Sequence, residues 1–158
     1  MNSLVGLIYN PKSHRVSSKG AVLEAVSDAL AHEHTVRLEN FDSLAQHMAW
    51  FAESGVNTIL IEGGDGTAQA VITECLSERA GFSRTPSFAL IPGGMTNLAA
   101  KAIGLKHWGA KDIIQRVQQF ESGEGQRSTF HHLLLVQPKD GGETHLGFML
   151  STGLVPRA

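Results

Sequence analysis

The sequence repeats one arrangement three times: a short apolar segment runs directly into a loop of glycine, proline or small polar residues. The clearest case is Thr58–Glu62 (TILIE), which is followed at once by Gly63-Gly64-Asp65-Gly66. Segments 4–9 and 87–91 end in a similar way, in loops that contain proline. Short apolar runs closed by such residues indicate buried strands that end in turns. Any fold of this chain must therefore bury several strands and present the loops that follow them.

Helical periodicity fills the stretches between these strands. Apolar side chains recur every three or four residues, which is typical of helices with one buried face. The predicted helices cover residues 19–34, 43–54, 68–76, 98–103 and 109–121, and a further short strand covers 35–38. Because strands alternate with helices up to residue 122, the sequence predicts an α/β fold with a parallel sheet.

The chain changes character after Gly125. Two strand-like segments, 129–137 and 143–151, flank Lys139-Asp140-Gly141-Gly142, a turn sequence that predicts a β-hairpin. We therefore predict one α/β unit over residues 1–125 and a different kind of unit over residues 126–158.

Composition excludes several classes of protein. Thirteen Lys and Arg against 15 Asp and Glu give a net charge of −2, without the basic excess of nucleic-acid-binding surfaces. The single cysteine, Cys75, excludes an intramolecular disulfide and a multi-cysteine zinc module. No apolar run approaches the roughly 18 residues of a membrane span, and no signal-peptide pattern opens the chain. We expect a cytoplasmic setting and no nucleic-acid partner.

The three loops are expected to share one edge, because the carboxyl ends of parallel strands lie together. Glycines let backbone N–H groups approach a phosphate closely, and a following helix adds unpaired N–H groups and a positive dipole end. Asp65 would repel a phosphate unless a divalent cation stood between them. The loops therefore predict a site for Mg²⁺ and a nucleotide.

Each loop also has a simpler interpretation. Two glycines after a strand usually form only a tight turn, and Asp65 could cap a helix, as we expect Thr96 to do. Lys12 and Arg15 are as typical of solvated loops as of phosphate clamps. No P-loop sequence occurs, and residues 64–69 (GDGTAQ) only begin like the dinucleotide fingerprint.

The loops resemble the motifs of a known enzyme superfamily. Gly63-Gly64-Asp65-Gly66-Thr67 is similar to the signature shared by diacylglycerol kinases, sphingosine kinases and NAD kinases. Asn10-Pro11-Lys12-Ser13 and the segment 92–99 (PGGMTNLA) resemble two further motifs of the lipid-kinase branch, which NAD kinases lack. The resemblance covers roughly residues 4–155, with the motifs in the same order.

This resemblance implies a three-layer Rossmann-like domain that binds ATP and Mg²⁺ and transfers the γ-phosphoryl group to the hydroxyl of diacylglycerol or a similar lipid. It implies that Asp65 is the catalytic residue and the metal ligand, either organising the metal site or acting as general base. The nucleotide-binding residues that it implies are Asn10, Pro11, Lys12, Ser13, Arg15, Gly63, Gly64, Asp65, Gly66, Thr67, Gly93, Gly94, Thr96 and Asn97. Phosphoryl transfer depends mainly on positioning and charge stabilisation, which suits such loops.

Two departures from the lipid-kinase pattern leave alternatives open. Leu98 stands where bacterial diacylglycerol kinases usually have aspartate, and residues 126–158 resemble only the start of the family's second, β-rich domain. We therefore expect little turnover from this segment alone. A catalytically silent nucleotide-binding module and a relative of NAD kinases are the alternatives. A transient, peripheral membrane contact and a homodimer through the hairpin edge also stay open.

Overall fold

The chain alternates strands and helices and then forms a hairpin. The computed structural model describes residues 4–103, 109–124, 129–142 and 144–148. The strands are β1 (Val5–Tyr9), β2 (Thr35–Arg37), β3 (Thr58–Gly63), β4 (Ser87–Pro92), β5 (Leu134–Val136) and β6 (His145–Gly147). The helices are α1 (His14–Lys19), α2 (Val22–Leu30), α3 (Leu44–Glu53), α4 (Asp65–Cys75), α5 (Leu98–Ala102) and α6 (Ala110–Ser122). Short 3₁₀ turns lie at Phe41–Ser43 and Glu78–Ala80.

The first four strands form one parallel sheet in the order β2-β1-β3-β4. The chain passes from β1 outward to β2 and then returns to place β3 on the other side of β1. The strand order therefore reverses between β1 and β3. In open α/β sheets, ligands bind in the crevice at such a point, outside the carboxyl ends of the strands. The loops that begin at Asn10 and Gly64 flank this crevice.

Helices cover both faces of the sheet, which gives three layers. Every residue of β1 and β3 is buried, as expected for central strands with helices on both sides. Leu7 and Leu60 pack on one face with α2 and α6, whereas Ile8 and Ile61 pack on the other with α3 and α4. The predicted three-layer, Rossmann-like α/β class is confirmed.

The prediction of one helix over residues 19–34 was wrong at both ends. A separate helix, α1, precedes Gly20, whose φ of +82° ends that helix before α2 begins. The periodicity missed α1 because Val16 is its only apolar residue and its only buried one. At the other end, Ala31 adopts a left-handed conformation, and its N–H bonds back to the carbonyls of α2.

The predicted hairpin is confirmed as a separate antiparallel pair, with Leu135 opposite Leu146. Its described strands have three residues each, fewer than predicted, and residues 143 and 149–151 of the predicted second strand lie outside the described residues. The Leu146 N–H donates to Thr73 Oγ1 of α4 at 3.3 Å. The division of the chain at residue 125 stays a prediction.

Candidate functional site at the carboxyl edge of the sheet

The three glycine- and proline-bearing loops meet at one edge of the sheet, as the sequence predicts. The buried Asn10 Nδ2 donates to Thr67 Oγ1 at 2.9 Å and so joins the first loop to the second. The Gly93 N–H donates to the Gly63 carbonyl at 2.8 Å, and the Arg15 N–H donates to the Gly93 carbonyl at 2.8 Å. The second loop is therefore hydrogen-bonded to the other two, and the third is joined to the first through α1, the helix that follows the first loop.

The second and third loops approach so closely that only glycine fits between them. A Cβ added to Gly94 would lie 2.6 Å from the Cα of Gly64, which is backbone that cannot rotate away. A Cβ on Gly93 would lie 2.9 Å from the Cα of Gly63. The paired glycines therefore let the two loops pack against each other, while the N–H groups of Gly93 and Gly94 are bonded within the loops, to the Gly63 carbonyl and to Asn97 Oδ1.

The first loop is held by its own polar groups. Asn10 Oδ1 accepts the Lys12 N–H at 2.9 Å, and the Ser13 N–H donates to the Asn10 carbonyl at 3.1 Å, which closes a turn around Pro11. Lys12 Nζ donates to the Glu39 carbonyl at 2.6 Å, and Arg15 Nη1 lies 3.5 Å from the Pro92 carbonyl. Arg15 thus contacts a carbonyl of the third loop, whereas the Lys12 ammonium contacts the carbonyl of Glu39, which follows β2 and lies in none of the three loops.

Asp65 caps a helix other than its own. Its side chain accepts the N–H groups of Leu98 at 3.0 Å and Ala99 at 2.9 Å, one on each carboxylate oxygen. These are the first two N–H groups of α5, whose own N-cap residue, Asn97, does not cap them with its side chain. The half-buried Asp65 carboxylate therefore ties the start of α4 to the start of α5.

The prediction that Thr96 caps this helix was wrong. Thr96 is exposed, and Asn97 occupies the N-cap position in a left-handed conformation with φ of 50°. Asn97 uses its side chain elsewhere: its Oδ1 accepts the Gly94 N–H at 2.9 Å, and its Nδ2 donates to the Gly94 carbonyl at 2.8 Å. These two bonds close the third loop on itself. The start of α5 is capped instead by Asp65, which is more than 30 residues earlier in the sequence.

Glu62 is a residue that the sequence-based site missed. It is 3% exposed, and its two oxygens accept the N–H groups of Val22 at 2.9 Å and Leu23 at 2.7 Å, at the start of α2. Burial raises the pKa of Glu62, although these two bonds and the nearby Arg15 act in the opposite direction. The signal for Glu62 in the sequence is an acidic residue at the end of an apolar strand.

The start of α4 differs from the starts of α2 and α5. Its N-cap is Gly64, and no side chain of the described residues caps it. Gly66, in its first turn, is exposed and has open space where a side chain would be. Uncapped N–H groups and a positive helix end make this position suitable for an anionic ligand.

Asp65 also fits a role as a magnesium ligand. A carboxylate offers about four acceptor positions, and the two N–H groups of α5 use only two of them. Mg²⁺ usually takes one or two protein carboxylates and completes its shell with phosphate oxygens and water. Within the described residues, no group of three or more His, Cys, Asp or Glu side chains is placed to hold a metal ion. A site here would accordingly depend on the phosphates of a ligand.

The parallel sheet with helices on both faces, and the three loops at its carboxyl edge, define an α/β domain of the Rossmann-like class. The family model "Diacylglycerol kinase catalytic domain" matches residues 5–130, which is most of the chain. The chain belongs to this family of lipid kinases. No curated protein sequence matches it.

Solved structures from Bacillus anthracis str. Sterne resemble this fold. One is of a diacylglycerol kinase, with 23% identity, and two are of a protein assigned provisionally as one, each with 24% identity. All three have a TM-score of 0.52 and cover 75% of this chain. The chain spans only 38–40% of the length of those proteins. No helix in the described parts of the chain is long and apolar enough to cross a bilayer.

Proposed function

We propose that this chain is the nucleotide-binding half of an ATP-dependent lipid kinase, which transfers the γ-phosphoryl group of ATP to a lipid hydroxyl such as that of diacylglycerol. The observation that carries the proposal is the joining of three family motifs at one sheet edge, next to the uncapped start of α4. Family membership supports lipid phosphorylation as the reaction.

In this proposal the backbone N–H groups at Gly64, Asp65 and Gly66 bind the phosphates, and the hydrogen bond from Asn10 to Thr67 helps to hold their loop in place. Lys12, Ser13 and Arg15 lie beside the same crevice, where the two cations favour a polyphosphate. Gly93, Gly94, Thr96 and Asn97 close its other side. Asp65 would hold Mg²⁺, which would supply positive charge to offset that of the phosphates.

Residues 126–158 are, in this proposal, the start of a second domain that binds the lipid. The proposed setting is the cytoplasm, with peripheral contact at a membrane that supplies the acceptor. Lipid phosphorylation is therefore best assayed with a form of the protein that contains both domains.

Calorimetric titration with ATP, ADP and NAD, each with and without Mg²⁺, tests the nucleotide site. We expect saturable binding of ATP and ADP that depends on Mg²⁺. Asp65→Asn should weaken this Mg²⁺-dependent binding at least about tenfold, because it removes the charge that attracts the cation. Asp28→Asn, at an exposed position of α2, is the matched control and should bind as wild type does.

Three other results would each contradict a part of the proposal. Equal affinities of Asp65→Asn and wild type would remove Asp65 from the metal site. NAD binding as strong as ATP binding would favour a relative of NAD kinases. Normal nucleotide binding without lipid phosphorylation by the two-domain form would favour a catalytically silent module, an alternative that Leu98 motivates.

A further inference from the structure

The last turn of α6 is held against α2 by a polar contact. The two buried residues of α6, Ile113 and Val117, lie before this turn and pack in one cluster with α2. Phe120 is the apolar residue of the last turn, and it is only partly buried. Beside it, Glu121 Oε1 lies 3.3 Å from Nε2 of His32, the second residue after α2. The attachment of this turn therefore depends on the state of His32.

The His32 ring is enclosed, and one of its two nitrogens is unpaired. The side chain is 7% exposed, and Nδ1 has no hydrogen-bond partner among the residues that the structure describes. The His34 ring packs edge-on at 6.4 Å between centroids and stacks in turn on Trp50 of α3. The backbone is fixed, because the His32 N–H donates to the Ser27 carbonyl and the His32 carbonyl accepts Thr35 Oγ1–H. The ring is therefore the part that can move.

These surroundings favour the neutral form of the ring. Burial lowers the pKa of His32, and a charge on His34 acts in the same direction. The carboxylates of Glu121, on α6, and of Glu33 act in the opposite direction, but the Glu121 side chain is 41% exposed and solvent screens its charge. Trp50, which α3 contributes, carries no charge. The neutral ring places its proton on Nε2, towards Glu121, so that protonation adds a buried N–H at Nδ1 with no acceptor among the described residues.

We propose that His32 makes the packing of α6 on α2 sensitive to acid: when its ring binds a second proton, it turns towards water, leaves Glu121 and releases the last turn of α6. The contact is complete above pH 6.5, the ordinary pKa of histidine, and is lost as the pH falls through the lower pKa of the packed ring. Because α6 is the last helix before β5 in the described chain, acid loosens the end of the α/β unit from which the hairpin follows. This proposal does not depend on nucleotide binding.

The protonation of His32 can be followed directly by NMR of its ring nitrogens against pH. We expect the tautomer with the proton on Nε2 at neutral pH and a titration midpoint below 6.5. In Glu121→Gln the midpoint should be lower still, because the amide can still contact the ring but no longer carries the charge that favours protonation. A wild-type midpoint at or above 6.5 would overturn the proposal.

Hydrogen exchange tests whether protonation releases the helix. After correction for the intrinsic effect of pH, protection of the Phe120 and Glu121 amides should fall between about pH 7.5 and about pH 5.5, towards a limit of about tenfold that an open-state pKa near 6.5 sets. The Leu98 and Ala99 amides, at the start of α5, should keep their protection. A local measurement is needed because Glu62, whose pKa is raised, gives overall stability the opposite dependence on pH.

Two further substitutions assign the effect to one residue. His32→Phe keeps a ring in the space but cannot be protonated, so the amides of the last turn should be equally protected at both pH values. His47→Phe is the matched control: it removes a histidine of α3 whose pKa burial also lowers, and the pH dependence should stay as in wild type.

The outcomes decide between His32 and other groups. If the pH dependence persists in His32→Phe, or disappears in Glu121→Gln, another group causes it and the proposal is wrong. Should His32→Phe fail to fold, the ring titration of wild type and the amide exchange of Glu121→Gln make the same decision. In that case the proposal requires a midpoint below 6.5 together with a pH dependence that survives in Glu121→Gln.

Discussion

Glu62 and Asp65 lie three residues apart and perform the same task on opposite faces of the sheet. Glu62 caps α2, whose Leu23 and Val26 pack on one face, and Asp65 caps α5, whose alanines pack on the other. They differ in access: Glu62 is buried, whereas Asp65 is half-buried at the rim of the loop cluster. Because only Asp65 is open to solvent, only Asp65 has acceptor positions that a cation can reach, whereas Glu62 acts on the fold.

The largest loss of stability is expected from a substitution at the contact between the second and third loops, where Gly94 meets Gly64. Gly94→Ala should destabilise the fold by about 3 kcal/mol, because the new Cβ meets the backbone of Gly64 and drives the loops apart. Chemical denaturation measures this change. Gly66→Ala, in the facing loop, is the control: it has open space and lies in the first turn of α4, so it should be neutral or stabilising by about 0.5 kcal/mol. Equal effects of the two substitutions would contradict the close contact.

Glu62, the buried cap of α2, should contribute more to the unfolding free energy than Asp65, the half-buried cap of α5. Glu62→Ala is expected to cost about 2 kcal/mol in unfolding free energy, since it leaves two N–H groups of α2 without an acceptor in a buried place. Urea denaturation of this variant beside Asp65→Ala tests the comparison directly. A smaller loss for Glu62→Ala than for Asp65→Ala would reverse it.

Asp65→Ala should cost about 1 kcal/mol, the usual value of a helix cap. The loss should be local, so hydrogen exchange by NMR is the sharper measurement. The amides of Leu98 and Ala99 should exchange roughly fivefold faster, as expected for about 1 kcal/mol of lost protection. The amides of Val22 and Leu23 should respond only to changes at Glu62. Faster exchange at both helix starts in one variant would show that the two caps act as one unit.

The smallest effect concerns pH. Burial raises the pKa of Glu62 from its ordinary value of 4.5, so the folded protein binds this proton more tightly than the unfolded chain does. The resulting stabilisation is fully present below pH 4.5 and is lost as the pH rises through the raised pKa. The unfolding free energy of wild type should therefore fall relative to that of Glu62→Gln across this range. A difference that is constant with pH would contradict the raised pKa.

Most of the fold follows from local sequence patterns, because buried strands need continuous apolar runs and helices need periodic ones. β1, β3 and α4 could be predicted in this way. α1 could not, since one buried valine in six residues has no periodicity. The meeting of the three loops could also be predicted, because the carboxyl ends of parallel strands lie at one edge of the sheet. The bonds within the site did not, because Asp65 and Leu98 are 33 residues apart and only the folded chain brings them together.

The cap that Glu62 provides also bears on the order of folding. Val22 and Glu62 are 40 residues apart, and β3 must pair with β1 before the carboxylate can reach α2. Closing so long a segment costs chain entropy before any contact compensates for it, which slows parallel pairing. The first turn of α2 should therefore stay frayed until the central strands have joined, and substitutions at Glu62 should change the unfolding rate more than the folding rate.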